Sequence, residues 1–490
     1  MGKKWVFPLV VILSLIMGVA GGVYLTSQAP NQDIKQMLVG TESKEDAAKK
    51  ENGATSTELK KVEQAYELIR GQYIEKVKDE QLVEGAIEGM LSTLKDPYSV
   101  YMNKKTAEQF GEALGSSFEG IGTEIGVEDG KIIIVSPYKD SPAEKAGLKP
   151  KDELLKINGE SVDGLNLYEM SLKIRGKKGS KVTLEIKRSG VTEPLTLKVT
   201  RDEIPVETVF SSIKKINDVN IGYIELTTFS EGTANDFKKQ LEAMEKKSVE
   251  GLVIDVRGNP GGLLSSAQEI LRLLVTKDKP YLQIAQRNGD TETFFSELTE
   301  KKKYAIAVLT DKGSASAAEI LAGALNEAGD YPLIGEKTFG KGTVQQAVPM
   351  GDGSDIKLTL FKWLTPDGNW IHKKGIKPTI EVHQPDYFNV HPLQVEKTFK
   401  RDMTNPQIQY AQGMLKGLGL EPGRDDGYYD AKTEIAIKAF QQQEGLKITG
   451  EMDQKTATKL EAAIVQKIQD EDNDIQLKTA LLFVAKLNDQ

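Results

Sequence analysis

A multidomain α/β protein is expected from three features of the 490-residue chain. From Glu203 onward, short apolar runs alternate with amphipathic segments, the pattern of strands and helices that build a mainly parallel sheet. Residues 115–202 have another texture, with brief β-patterned runs separated by tight turns. Helical periodicity fills residues 56–114 and the stretch beyond Pro406. The length suits three or four domains with buried cores. A net charge of −8, with no basic patch studded by aromatic residues, argues against a nucleic-acid partner. The chain has no cysteine, which excludes disulfides, zinc–thiolate sites and cysteine nucleophiles.

Lys3 and Lys4 precede an apolar run from Trp5 to Leu25, broken by Pro8, Ser14 and a few glycines. Such a run spans ~30 Å as a helix, enough to cross a bilayer. The positive flank places the N-terminus in the cytoplasm. Residues 1–30 are therefore a transmembrane anchor or a signal peptide cleaved near Gly18-Val19-Ala20, and either one exports the remainder of the chain. Residues 31–55 form a polar linker. Leu59, Val62, Ala65, Tyr66, Ile69 and Tyr73 keep helical spacing, as do Leu82, Ala86, Ile87, Met90, Leu91 and Leu94. Asp96-Pro97 ends the second helix, and a third covers Lys105 to Leu114. These stripes serve core or dimer packing.

In 115–202, strands Ile125–Val127 and Ile132–Val135 flank Asp129-Gly130, a hairpin signal. A helix at Leu167–Ile174 and strands Val182–Lys187 and Leu195–Val199 come next. Beyond this region, buried strands at Ile221–Leu226, Leu252–Val256, Tyr304–Leu309 and Leu333–Ile334 alternate with helices at Ala234–Lys246, Leu264–Leu274 and Ala317–Glu327. Ligand sites in such a sheet lie past the strand C-terminal ends. Two loops there are conspicuous. One is Arg257-Gly258-Asn259-Pro260-Gly261-Gly262. The other holds Ser316 at a helix start, where free backbone N–H groups suit a developing oxyanion. Lys341 lies further on, between Gly340 and Gly342, and a lysine buried there can lose its proton near neutral pH. The free amine titrates near 10.4, so this requires desolvation or a nearby cation such as Lys337. Lys341 and Gln345 on one strand would stand ~13 Å apart, so contact needs a bend that the glycines permit. Ser314 is a rival nucleophile.

Asp255 to Gly262, Gly313-Ser314-Ala315-Ser316-Ala317-Ala318-Glu319 and Gly340-Lys341-Gly342-Thr343-Val344-Gln345 together resemble the carboxyl-terminal processing (tail-specific) protease family, over about residues 56–400. The resemblance implies a crotonase-like α/β serine endopeptidase core at 203–400 after N-terminal helices at 56–114. It implies Ser316 as nucleophile, Lys341 as base and Gln345 as support, with the oxyanion held by Ala317 and by Gly261 or Gly262. No metal or organic cofactor is needed. Ser141 to Val162 (SPAEKAGLKPKDELLKINGESV) resembles a PDZ domain, inserted at 115–202, and Glu119-Gly120-Ile121-Gly122 resembles its carboxylate-binding loop. Gly120, Ile121 and Gly122 would capture the C-terminal tail of a protein or peptide that adds as a strand. Arg175 at the end of the groove helix would report occupancy, unless it is a solvated helix-end cation. With Leu418-Gly419-Leu420, the Asp426-Gly427 turn and Thr433 to Gln441 on a helix, residues 403–465 resemble a three-helix peptidoglycan-binding domain, and 466–490 form a last packing or dimerisation helix. The whole implies a self-associating protease outside the cytoplasm, at the cell envelope near peptidoglycan.

Three alternatives share these residues. Gly335 to Gly342 approximates a phosphate-binding loop, but glycine stands where a magnesium-binding hydroxyl is needed and a strand comes after it. His372, His383 and His391 are the only histidines, and one could serve a Ser–His–Asp triad; their spacing does not suit a zinc site. An inactive scaffold binding peptides and wall polymer is the third.

Overall fold

A computed structural model describes residues 55–128, 131–165, 167–395 and 397–488. The expected anchor or signal lies outside them, as does nearly all of the linker. No helix among the described residues is long and apolar enough to cross a membrane.

The chain opens with α1 (Thr55–Gln72) and α2 (Asp79–Ser92), then β1 (Val100–Met102) and α3 (Lys104–Leu114). Leu59, Val62 and Ile69 on α1 are exposed, as are Tyr73 just after it and Val83 and Met90 on α2. Much of the apolar stripe of 56–94 is therefore left uncovered by the other described residues.

A two-stranded ribbon, β2 (Ser117–Gly120) against the later β9 (Asp202–Pro205), closes the inserted module at its base. Between them lie β3 (Thr123–Glu128), β4 (Lys131–Pro137), α4 (Pro142–Lys145), β5 (Glu153–Ile157), β6 (Glu160–Ser161), α5 (Leu167–Ile174), β7 (Lys181–Lys187) and β8 (Leu195–Thr200). The sheet runs β3-β4-β5-β7-β8, with β6 on β5. It encloses its own core of Ile134, Leu154, Met170, Val182, Leu184 and Ile186.

The central domain continues with β10 (Val209–Ile216), β11 (Val219–Leu226), α6 (Thr233–Glu245), β12 (Gly251–Asp255), α7 (Leu264–Leu271), β13 (Leu282–Ala285), β14 (Thr291–Phe294), β15 (Ala305–Thr310), α8 (Ala317–Glu327), β16 (Leu333–Gly335), β17 (Thr343–Pro349), β18 (Asp355–Leu364) and β19 (Ile380–Glu381). Its main sheet has the order β10-β11-β12-β15-β16-β19. Every pairing in it is parallel except that of edge strand β10. Strands β10, β13 and β14 escape the sequence reading because polar residues interrupt them, as in the Phe210-Ser211-Ser212 stretch. A second, antiparallel sheet joins β1, β18, β13 and β14, with β17 also on β18.

Both faces of the main sheet are covered, which is why its strands read as unbroken apolar runs. Leu252 and Ile254 face helices α6, α7 and α8. Val253, one step along the strand, faces the other way. That second face packs on α12 (Ile475–Asn488), through Leu477, Ala480, Leu481, Val484 and Ala485. The C-terminal helix is thus a layer of the central domain. The three helices α9 (Pro406–Gly417), α10 (Ala431–Gln443) and α11 (Gln454–Gln469), with a core of Ile408, Leu415, Ile437, Phe440 and Leu460, sit between β19 and α12 as an insertion.

Candidate active site

Two loops leave the C-terminal ends of neighbouring parallel strands, Arg257–Gly262 after β12 and Asp311–Ser316 after β15. Asp311 ties them together. Its Oδ1 accepts from the N–H groups of Gly258 (2.8 Å), Gly313 (2.9 Å) and Ser314 (3.0 Å). The Ala315 N–H donates to the Asn259 carbonyl at 2.9 Å. Gly261 has φ +104°, and a Cβ there would lie 2.8 Å from the Ser316 Cβ. Only glycine lets the two loops approach this closely.

Ser316 caps α8 with φ 55° and ψ −116°, a conformation that side-chain-bearing residues adopt at a cost of about 1–3 kcal/mol and that clusters at functional sites. Ser314, the rival, is engaged elsewhere. Its hydroxyl donates to the Val256 carbonyl at 2.7 Å and accepts from the Asp311 N–H at 3.0 Å, so it braces the loop.

The fully buried Glu319 carboxylate organises the rest. Oε2 accepts from the N–H groups of Ser316 (2.9 Å) and Lys341 (2.8 Å). Oε1 accepts from the Thr338 hydroxyl and the Gly340 N–H, each at 2.6 Å. A single oxygen thereby bridges the backbones of Ser316 and Lys341. Burial pushes the Glu319 carboxyl up, and these four donors oppose that shift. Glu319 was present in the recognised motif with no role assigned to it. The spacing Ser-x-x-Glu at a helix start was the available signal.

Lys341 is completely buried. Burial first, and the charge of Lys357 second, bring its amine down to about 7, a displacement worth about 5 kcal/mol. The cation that acts on Lys341 is therefore Lys357 on β18, not Lys337. Lys337 is exposed. Lys357 is itself lowered to about 8 by burial. The Lys341 Nζ lies 4.9 Å from the centre of the Tyr98 ring and makes no hydrogen bond among the described residues. Lys357 and Tyr98 carried no sequence signal, because they come from distant segments that meet only in the fold.

Lys341 lies ahead of β17, not on a strand with Gln345, and the bend occurs as a register shift between Val344 and Gln345. The Gln345 Nε2 donates to the hydroxyls of Thr343 (3.1 Å) and Thr359 (3.0 Å). Its Oε1 is buried without a partner among the described residues, as is the Lys341 Nζ, and the two are not hydrogen-bonded to each other.

Ala317 occupies the first helical position, so its N–H has no acceptor within α8. Of the two candidate glycines, Gly261 gives its N–H to Asn259 Oδ1 at 2.8 Å. Gly262 is free of that commitment. His372 stacks on Trp370, with ring centres 5.2 Å apart, and its buried Nδ1 has no partner among the described residues. His383 is exposed beside Glu336, and His391 lies against Tyr410 near the wall-type module.

Gly120, Ile121 and Gly122 lie apart from this cluster, where β2 passes to β3. Gly122 has φ +73°, and a Cβ on it would meet the Ser141 Cβ at 2.6 Å. Ile121 is 1% exposed, with its side chain in the module's core. Arg175, at the end of α5, places its guanidinium 4.7 Å from the Phe118 ring centre and reaches Glu112 on α3 at 3.4 Å.

The chain is 61% identical over 428 residues to the carboxy-terminal processing protease CtpB of Bacillus subtilis, covering 87% of this chain and 89% of that one. It belongs to the carboxy-terminal processing protease family. The B. subtilis protease CtpA is 46% identical over 426 residues, covering 87% and 90% of the two chains. A probable CtpA-like serine protease of Staphylococcus epidermidis is 36% identical over 416 residues, covering 84% of each. Family models match as peptidase family S41 at 220–382, PDZ domain at 119–199, putative peptidoglycan binding domain at 404–460 and activating protease CtpB N-terminal domain at 15–106. The protein is thus a serine peptidase with PDZ and peptidoglycan-binding domains.

A base that must be neutral loses activity as pH falls through its pKa. The pH profile of kcat/KM is expected to drop below about pH 7, the value at which Lys341 is held. Lys357→Met removes the neighbouring positive charge, so the Lys341 value rises and the acid limb moves to higher pH. A limb that stays in place in Lys357→Met, or moves down, contradicts this electrostatic arrangement.

Proposed function

We propose that this protease cuts near protein C-terminal tails with a Ser316–Lys341 dyad. The observation that supports the reading is the Glu319 oxygen shared by the Ser316 and Lys341 N–H groups, which ties the backbone of a strained serine to that of a lysine held near neutrality. The Ser316 hydroxyl attacks the scissile carbonyl while the neutral Lys341 amine takes its proton. The oxyanion of the tetrahedral intermediate is held by the N–H groups of Ala317 and Gly262. Lys341, now an ammonium, returns the proton to the departing amine and leaves an acyl-enzyme. Water then attacks the ester, again with Lys341 as base. In its protonated form Lys341 needs acceptors in a dry site, and the unpartnered Gln345 Oε1 is suited to that purpose. Closing the Lys341 Nζ onto Ser316 and Gln345 is the adjustment the resting geometry requires before catalysis.

The substrate tail adds beside Gly120–Gly122 of the PDZ domain. Arg175 carries occupancy to the core, a role supported by its contact with Glu112. Leu114, two residues on in α3, packs on Leu263, the residue just after Gly262. The apolar sequence Trp5–Leu25 supports export, by anchor or signal, and the peptidoglycan-binding domain supports residence at the cell envelope. The uncovered apolar stripes of α1 and α2 support a homodimer.

Peptide cleavage by Ser316→Ala and Lys341→Ala is expected to fall by about 10³-fold or more, with His372→Ala retaining most of its activity and peptidoglycan binding unchanged in all three. Loss in His372→Ala with activity retained in Lys341→Ala would restore the triad. Absence of cleavage by the native chain, with binding intact, would favour the scaffold. Arg175→Ala should impair cleavage of a protein with a free tail more than of a short peptide, and equal effects would remove Arg175 from recognition. Light scattering on residues 31–490 should give twice the chain mass, reduced to one chain by Ile69→Glu; a native monomer contradicts the dimer.

A further inference from the structure

Arg257 opens the glycine loop and is held from outside it. The guanidinium grips Asp255 through Nε (3.0 Å to each oxygen) and Nη2 (2.6 Å). Its other edge makes a two-point contact with Asp474, Nη1 to Oδ1 at 2.9 Å and Nη2 to Oδ2 at 2.8 Å, and Nη1 also reaches the Gln476 Oε1 at 3.1 Å. The side chains of Arg257, Asp255 and Asp474 are 16%, 4% and 14% exposed, so water screens these pairs little. Planar, paired contacts of this kind fix orientation as well as charge.

Asp474 belongs to the segment that returns from the peptidoglycan-binding domain. It is locked there: Oδ1 also accepts from the Leu477 N–H at 2.9 Å, at the start of α12, and from the Gln384 Nε2 at 2.6 Å. Gln384 lies on the outgoing segment, and its Oε1 takes the Ile475 N–H at 3.1 Å. The outgoing segment touches the second catalytic loop as well, where the Lys312 Nζ donates to Asn389 Oδ1 at 2.6 Å. Both stems of the inserted module therefore rest on the loops that carry the oxyanion and nucleophile groups.

We propose that Asp474 is a positioning residue for the oxyanion loop, so that the catalytic site is completed by the chain returning from the peptidoglycan-binding domain. Without Asp474 the outer edge of the guanidinium would keep only the neutral Gln476 oxygen at 3.1 Å, with no charged, two-point contact to hold its plane. Asp474 fixes its second edge and with it the root of the loop that ends in Gly261 and Gly262. The proposal rests on the reading of that loop as half of the oxyanion site.

Asp474→Asn is the informative variant. Its oxygen can still serve Leu477 and Gln384, its amide turns a donor toward Arg257, and Asp255 continues to neutralise the guanidinium, so the fold should persist. On a short peptide, kcat is expected to fall about tenfold or more with KM within about twofold, and fluorophosphonate labelling of Ser316 should slow in parallel. Asp474→Glu, which keeps the charge, should recover much of the loss. Unchanged kcat in Asp474→Asn, a change confined to KM, or a loss explained wholly by a smaller folded fraction in thermal melts would overturn the proposal. Failure of the native protein to label at Ser316 would count against the nucleophile assignment alone, since kcat still reads the clamp.

Discussion

The site depends on a carboxylate that takes no part in bond making. Glu319 sits in the first turn of α8 with no exposure to solvent. Burying a carboxylate without partners costs several kcal/mol, and here the compensation comes from four donors on two segments. Two of those donors are the backbones of the candidate nucleophile and the candidate base. The hydrogen bonds that make the buried charge tolerable therefore also set the Ser316–Lys341 spacing. The strained φ of Ser316 fits this account, because the Glu319 bond to its N–H and the close approach of Gly261 fix the turn from both sides.

Lys341 shows the complementary use of burial. Its amine is buried, has no hydrogen-bond partner among the described residues, and lies near a second buried lysine. Each factor disfavours the ammonium. Glu319 and Asp96 pull the other way, which keeps the value near neutrality, where a base can both take and return a proton. Gln345 is pinned through its amide nitrogen by two threonines, and its buried oxygen has no partner among the described residues.

The sequence exposed the central sheet most clearly. Leu252 to Ile254 and Ala305 to Leu309 are apolar on both faces because helices cover both, and the loops after these strands fall where a parallel sheet places ligand sites. The PDZ and peptidoglycan-binding regions were legible through the resemblance of their motifs, such as Ser141 to Val162, to those families. Three things were not. The C-terminal helix carried an apolar pattern that says nothing about which surface it meets, so its place beneath β11, β12 and β15 emerged only from the fold. Lys357 and Tyr98 act on Lys341 across long sequence separations. Lys341 and Gln345, though close in sequence, needed the bulge at Val344/Gln345 before their relation could be judged.

The insertion of the peptidoglycan-binding domain between β19 and α12 has the same origin. A chain that must return to cover the main sheet cannot end with the module, and its return brings Asp474 to Arg257. The most direct test of the account is kcat for Glu319→Gln, whose amide must turn a donor toward at least one of the N–H groups the carboxylate now accepts. The account predicts a fall of about 100-fold, the size expected when reacting groups shift by about 1 Å, in a protein that still melts cooperatively. A Glu319→Gln enzyme with native kcat and native melting would contradict it.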